Sequence, residues 1–312
     1  MDSYQVSNCS SRSKSFPATK LDRDGVGYYD PLHDDTGERM TTGPNQRLLK
    51  VVLFQNSAGV KVERNLLRIE QRLRRVPSCD LIALPEVFAI RGNDTDYRAM
   101  AERLPGPITK RLMVLAKRRR AWILAGSVIE YCRNKIYNTS VLINRQGRIV
   151  ARYRKIHLFE ANLDNGQVIR ESDIYAAGDK PVMAEVEGWP CGLAICYDLR
   201  FPELFRHYSR HGATLFFVPS NFTQKTGKDH WETLVRARAI ENQAFVVAPN
   251  QCGVNPCTEI ASYGHSLMIG PWGDVLAQAG DNDCVLRATL DPADLARTRS
   301  RIPVLRHRRL RA

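Results

Sequence analysis

The chain has 312 residues, 43% of them hydrophobic, and a formal net charge of +13, enough length and apolar content for one large α/β domain. No apolar run approaches the roughly 20 residues that span a bilayer, and the first thirty residues lack the apolar segment of a secretory signal, so a soluble, cytoplasmic protein is expected. Eight cysteines at scattered spacings, none in a Cys-x-x-Cys pair, argue against a disulfide framework or a zinc site.

Residues 1–46 carry Ser, Asp, Gly and Thr without helical or strand period, which predicts a flexible extension, and Met40 is a possible alternative start. A catalytic domain is expected over 47–299 and a basic arm over 300–312. From Leu48 the pattern predicts a strand to Gln55, a helix from Val60 to Arg75, a strand from Leu81 to Pro85 and a helix from Pro107 to Arg120. Strands follow near Trp122 to Glu130, Tyr137 to Asn144 and Arg148 to Arg154. Further strands at Val182 to Val186 and Pro190 to Cys196 precede a helix from Pro202, where proline suits the first turn. A strand at Thr214 to Pro219, a helix from Asp229 to Asn242 and strands at Ala244 to Asn250, Ser262 to Ile269, Val275 to Ala279 and Cys284 to Leu290 complete the order. Such a mixture of βα units and hairpins predicts two sheets with helices on their outer faces.

Three strand ends carry reactive groups. Gly192-Leu-Ala-Ile-Cys196 is an apolar run that stops at a cysteine, and Leu81-Ile-Ala-Leu-Pro-Glu86 stops at a carboxylate. Tyr153-Arg-Lys-Ile-His-Leu-Phe159 sets Lys155 among large apolar neighbours. A lone buried cysteine is more often a small hydrophobe than a nucleophile. A charged side chain at each of two other apolar edges changes that balance, because a buried Glu or Lys is costly unless it is paired or functional.

Glu86, Lys155 and Cys196 together match the triad of the carbon–nitrogen hydrolase (nitrilase) superfamily, which the chain resembles from about Arg47 to Arg309. The resemblance extends to Gly126-Ser-Val-Ile-Glu130, Ile136-Tyr-Asn-Thr139, Pro219-Ser-Asn-Phe-Thr223, His230-Trp231 with the helix that follows, Tyr263-Gly-His-Ser266 and Pro271-Trp-Gly273. Cys-Tyr-Asp-Leu-Arg-Phe-Pro-Glu from Cys196 looks most like the Nit branch of ω-amidases and deaminated glutathione amidases. The resemblance implies a four-layer α-β-β-α sandwich, no cofactor, and a homodimer or larger even homo-oligomer.

It also implies a mechanism. Cys196 attacks a small carboxylate-bearing amide, Glu86 acts as general base and then acid, and a thioester forms and is hydrolysed. Lys155 and the backbone N–H of Tyr197 are the expected oxyanion donors. Glu130 is expected to hold Lys155 charged and in place, and Arg200, Asn221, Phe222 and His230 to flank the substrate, with a loop from Thr223 to Lys228. Acyl transfer from the same thioester, or hydrolysis of N-carbamoyl compounds or nitriles, are alternatives; a non-catalytic scaffold is disfavoured because every triad member is present. A Cys196–His157 or Cys196–His230 pair is a rival arrangement that lacks the local signatures of cysteine proteases. No metal is expected, since no two of His157, His230 and His265 fall at i, i+4 with a partnering carboxylate. Seven arginines without an acid from Arg297 to Ala312 make a basic tail, but no aromatic residues interleave for base stacking, so nucleic acid is not an expected partner.

Overall fold

Alternation along one strand lays out the layers. In β1 (Leu49–Gln55), Leu49, Val51 and Leu53 join one buried cluster while Val52 and Phe54 join another, as a period of two requires when both faces are covered. The same division continues in β2 (Leu81–Ala83) and β3 (Trp122–Cys132), where Leu81, Ala83 and Leu124 go with the first cluster and Ile82, Ile123 and Ala125 with the second. The computed structural model describes residues 20–21, 27–28, 46–162 and 168–310.

Sheet A adds β4 (Lys135–Ile143), β5 (Ile149–Arg154) and, on its far edge, β12 (Cys284–Leu290), in the order β12-β1-β2-β3-β4-β5. Sheet B runs β6-β7-β8-β9-β10-β11, built from Val182–Val186, Trp189–Leu193, Leu215–Phe217, Phe245–Ala248, Leu267–Ile269 and Val275–Gln278. Reading across either sheet, the pairings run antiparallel, parallel, parallel, antiparallel, antiparallel. The two sheets therefore repeat one pattern of strand directions.

Helices close the outer faces. Leu66, Ile69 and Leu73 of α1 (Val62–Leu73) and Ile108, Leu112 and Leu115 of α3 (Pro107–Arg119) fall at helical spacing and pack on sheet A. Leu204, Phe205 and Tyr208 of α4 (Pro202–Arg210) and Trp231, Val235 and Ala239 of α5 (Gln224–Asn242) join the cluster that fills sheet B and the space between the sheets. Each such large side chain contributes about 1.5–3 kcal/mol by leaving water. The expected four-layer α-β-β-α arrangement is the one observed.

The differences from the sequence reading have local causes. Helix α2 (Asp94–Ala99) was not predicted, although Asn93 and Asp96 form a reciprocal capping box. Helix α5 starts at Gln224 rather than Asp229, so most of the expected Thr223 to Lys228 loop is helix. Gly227 reads as a helix breaker, but an added Cβ there would lie 2.3 Å from the Tyr263 side chain; the glycine is needed for close packing. The strand expected from Ser262 to Ile269 is split into Ala261–Tyr263 and β10, because Gly264 and His265 both take positive φ. Two further helices, α6 (Pro292–Arg301) and α7 (Val304–His307), lie near the end of the chain. Ile302, in the basic arm, is half exposed. Of the expected 1–46 extension, only residue 46 and the short antiparallel pair Lys20–Leu21 and Gly27–Tyr28 lie within the described residues.

Candidate active site

Glu86 stands two residues beyond the end of the Leu84 to Leu124 pairing, on backbone held from three directions. Leu84 N–H donates to Leu124 O at 3.0 Å, the Ser127 hydroxyl accepts the Val87 N–H at 2.9 Å, and Gln251 Nε2 donates to the Glu86 carbonyl at 2.9 Å. Gly126 allows this clamp: a Cβ there would fall 2.0 Å from Leu84 O and 2.2 Å from Pro85 O. The register of β3 against β4 shifts between Ala125 and Val128, which turns Ser127 toward the strand end.

Cys196 follows β7 on a sharp turn. Its φ is +48°, a left-handed conformation that costs a non-glycine residue on the order of 1 kcal/mol and that recurs at functional strand-to-helix turns. Two contacts hold it. Cys196 N–H donates to Pro219 O at 3.0 Å, and the buried Asp198 carboxylate accepts the Ile195 N–H at 2.8 Å and the Tyr153 hydroxyl at 2.6 Å. Asp198 also sits 2.7 Å from His157 Nδ1, whose ring stacks on Phe201 at 3.7 Å. His157 is thus engaged in supporting the turn, and His230 Nδ1 lies 3.3 Å from the Arg200 guanidinium; the rival cysteine–histidine arrangement has no support in either contact.

Lys155 is 1% exposed and donates to Glu86 Oε1 at 3.0 Å and to the Glu171 carboxylate at 2.8 Å. Burial alone would push the ammonium's pKa down, but Glu171 and Glu86 override it and hold it well above the ordinary lysine value. Burial pushes Glu171 up, an effect Lys155 opposes and Glu86 adds to. Burial also lifts the Cys196 thiol well above its usual range and the Glu86 charge lifts it further, while Lys155 and the Asn221 backbone N–H act the other way. To act as a nucleophile, such a thiol would have to lose its proton to a base.

Glu171 corrects the role expected of Glu130. Glu130 accepts from Thr139 Oγ1 at 2.7 Å and pairs with Arg154 at 2.7 Å. Register explains why: Thr139 is opposite Arg154 and Tyr137 is opposite Glu130, so these four share the outer, helix-facing side of sheet A, and the next residue, Lys155, faces the other way. The carboxylate on Lys155 comes instead from a 3₁₀ turn, Glu171–Asp173, placed by the short ribbon of Glu160–Asn162 and Val168–Arg170. Nothing in the polar run Arg170-Glu-Ser-Asp173 singles it out by pattern.

Glu86, Asn138, Glu171, Cys196 and Asn221 line one cavity of about 260 Å³. Lys155 lies behind the two carboxylates. Of the residues expected to flank the substrate, Asn221 and Thr223, the first residue of the expected loop, line this cavity. Phe222 is 4% exposed and packs on Trp231 with ring centroids 4.8 Å apart, His230 is exposed on α5, and Arg200 lies over the Tyr197 and Phe222 rings. Alternation past β8 turns Phe222 into the core when Asn221 faces the cavity. The cations that do line it are Arg91 and Arg170. Arg91 is fully enclosed and donates to Cys252 O at 3.0 Å and Ser262 Oγ at 2.6 Å, whereas Arg170 is exposed on a rim shared with Asp94 and Asp173.

Residues 53–300 match the carbon–nitrogen hydrolase family. The chain belongs to that family. It is 42% identical over 234 residues to a deaminated glutathione amidase of Synechocystis, covering 73% of this chain and 86% of the relative. It is 35% identical over 229 residues to the human omega-amidase NIT2, covering 73% and 83%. Among solved structures it resembles Saccharomyces cerevisiae Nit3, a member of branch 10 of the nitrilase superfamily, with a TM-score of 0.76, 29% identity, and coverage of 87% of this chain and 100% of that one. As a carbon–nitrogen hydrolase with amidases among its relatives, this chain is an amide-hydrolysing enzyme. Among the described residues no helix is long and apolar enough to cross a membrane.

Proposed function

We propose that this hydrolase cleaves a small linear amide bearing a remote carboxylate, releasing ammonia and an acid through a thioester on Cys196. The observation that carries the reading is the placement of Cys196 and Glu86 on one cavity, with Lys155 bonded to Glu86 from behind. Glu86 Oε1 receives Lys155 and Asn138, and among the described residues no hydrogen bond reaches Oε2. Oε2 takes the thiol proton as sulfur attacks the carbonyl carbon. Lys155 has three N–H groups, two of them engaged by carboxylates, and the third is offered to the developing oxyanion. Tyr197 is the second residue of the 3₁₀ turn Cys196–Arg200, a position whose N–H has no acceptor within its own helix, and it supplies the other donor.

Glu86 then returns its proton to the leaving nitrogen, and water deprotonated by the same carboxylate releases the acid. Two features favour a short ω-amide of a dicarboxylic or keto acid. The cavity is at or below the small end of the roughly 300–1,000 Å³ usual for ligand sites, and Arg170 is an accessible cation on its rim. The domain limits 47–299 and 300–312, a cytoplasmic location and an even homo-oligomer belong to the same reading. All seven cysteines of the described residues are free, as suits a reducing compartment.

Ammonia release from a panel of ω-amides, N-carbamoyl compounds and nitriles, with the native protein and Cys196→Ala, tests it. Release from carboxylate-bearing amides that vanishes in the variant supports the reading. Release that survives the substitution, or from nitriles alone, overturns it.

A further inference from the structure

Asn138 touches both charged partners of the nucleophile. Its Nδ2 donates to Glu86 Oε1 at 2.8 Å, and its backbone carbonyl accepts the backbone N–H of Lys155 at 2.9 Å. It is 2% exposed and lines the cavity beside Glu86 and Cys196. An ionised carboxylate only accepts hydrogen bonds, so the side-chain amide has to turn its nitrogen to Glu86 and its oxygen away. That oxygen, Oδ1, is buried, and no group among the described residues bonds to it. An empty buried acceptor is costly, and one beside a substrate cavity has an evident donor to wait for.

We propose that Asn138 reads the nitrogen of the scissile amide. On the amidase reading above, on which this rests, Oδ1 accepts an N–H of the substrate while Nδ2 fixes Glu86 Oε1. Once sulfur has added, holding one N–H on Oδ1 turns the nitrogen lone pair toward the proton carried by Glu86 Oε2. The nitrogen takes that proton, the C–N bond breaks with its electron pair going to nitrogen, the oxyanion pair re-forms the carbonyl as a thioester, and ammonia departs. An amide offers the N–H that this acceptor needs; an ester and a nitrile do not. Asn138 is thus both a positioning residue for Glu86 and a discriminator of the leaving group.

The test pairs a primary amide with an activated ester of the same acid, which passes through the same acyl-enzyme. Asn138→Leu is expected to lower kcat/KM for the amide about tenfold to a hundredfold more than for the ester, the range for losing a bond in a charged network. Equal losses on both would overturn the proposal. Asn138→Asp keeps the size and an accepting oxygen, and its added carboxyl shares a proton with Glu86. Such a proton restores the bond to Glu86 and is lost as pH rises, since two adjacent carboxylates resist ionising together. This variant, which also serves if Asn138→Leu fails to fold, is expected to regain activity as pH falls and to lose it at a lower pH than the native protein. An alkaline limb matching that of the native protein would overturn the proposal. Native protein inactive on both amide and ester removes the amidase reading instead, so the two failures are distinct.

Discussion

Arg154 and Lys155 are adjacent in sequence and serve opposite sides of one sheet: Arg154 pairs with Glu130 on the outer face, and Lys155 with Glu86 and Glu171 on the inner one. That single-residue step puts the two ion-pair clusters on opposite faces of the sheet.

Glu130→Ala is therefore expected to act on stability. Thr139 and the half-buried Arg154 lose their acceptor, which costs about 1–3 kcal/mol. Urea unfolding reads the loss, and kcat/KM should change by less than about threefold, roughly 0.6 kcal/mol in ΔΔG‡, because Glu130 faces away from Lys155. A hundredfold fall in kcat/KM with unchanged stability would return Glu130 to the site.

Glu171→Gln removes a charge that holds Lys155 protonated. Lys155 sits above its ordinary value because of Glu171 and Glu86, so losing one of them lowers it, and the charged form is given up at a lower pH than before. The alkaline limb of kcat/KM should move toward neutrality, with a loss at the optimum of about 10²–10³, the cost of one oxyanion donor. An unmoved limb would detach Glu171 from the chemistry.

Burial and Glu86 keep the free Cys196 as a thiol at neutral pH. Alkylation of Cys196 by iodoacetamide should be slow near pH 7 and still rising with pH beyond the ordinary thiol range near 8.5. A rate already level below pH 8 would mean a resting thiolate and leave Glu86 without its first task.

Gly126→Ala tests the clamp on Glu86. The added methyl meets the carbonyl oxygens of Leu84 and Pro85, backbone that a side-chain rotation cannot move. Overpacking of this kind costs about 1–3 kcal/mol, and displacement of the adjacent Glu86 should lower kcat at least tenfold, as misplaced catalytic groups do. A stable variant with native kcat would show that Glu86 tolerates a shifted strand end.

Most of the architecture was legible in the sequence because period-two and period-3.6 burial patterns survive in β1, α1 and α3, and because Glu86 and Cys196 each end an apolar run. What was lost is what pattern does not encode. Glu171 arrives on a short turn from outside the two sheets, so no spacing from Lys155 predicts it. Glu130 was expected at Lys155 from the family resemblance, but the facing of a residue near a register shift is settled by the bulge, not by counting. Arg200 and His230 were expected at the substrate from the family pattern, whereas the 3₁₀ turn at Cys196–Arg200 and helix α5 set them against each other instead. Asn138 stood in a quoted motif without a role, because the meaning of its side chain depends on which atom is left without a bond.

The repeated strand pattern has a consequence for how the reactive group is made safe. Glu86 follows β2 of sheet A and Cys196 follows β7 of sheet B, and neither half of the chain contains both. During synthesis the thiol emerges long after its base and has no proton acceptor beside it until the two sheets close face to face. The thiol and the carboxylate meet only where the two sheets pack face to face, so a chain whose sheets have not packed carries Cys196 as an ordinary cysteine.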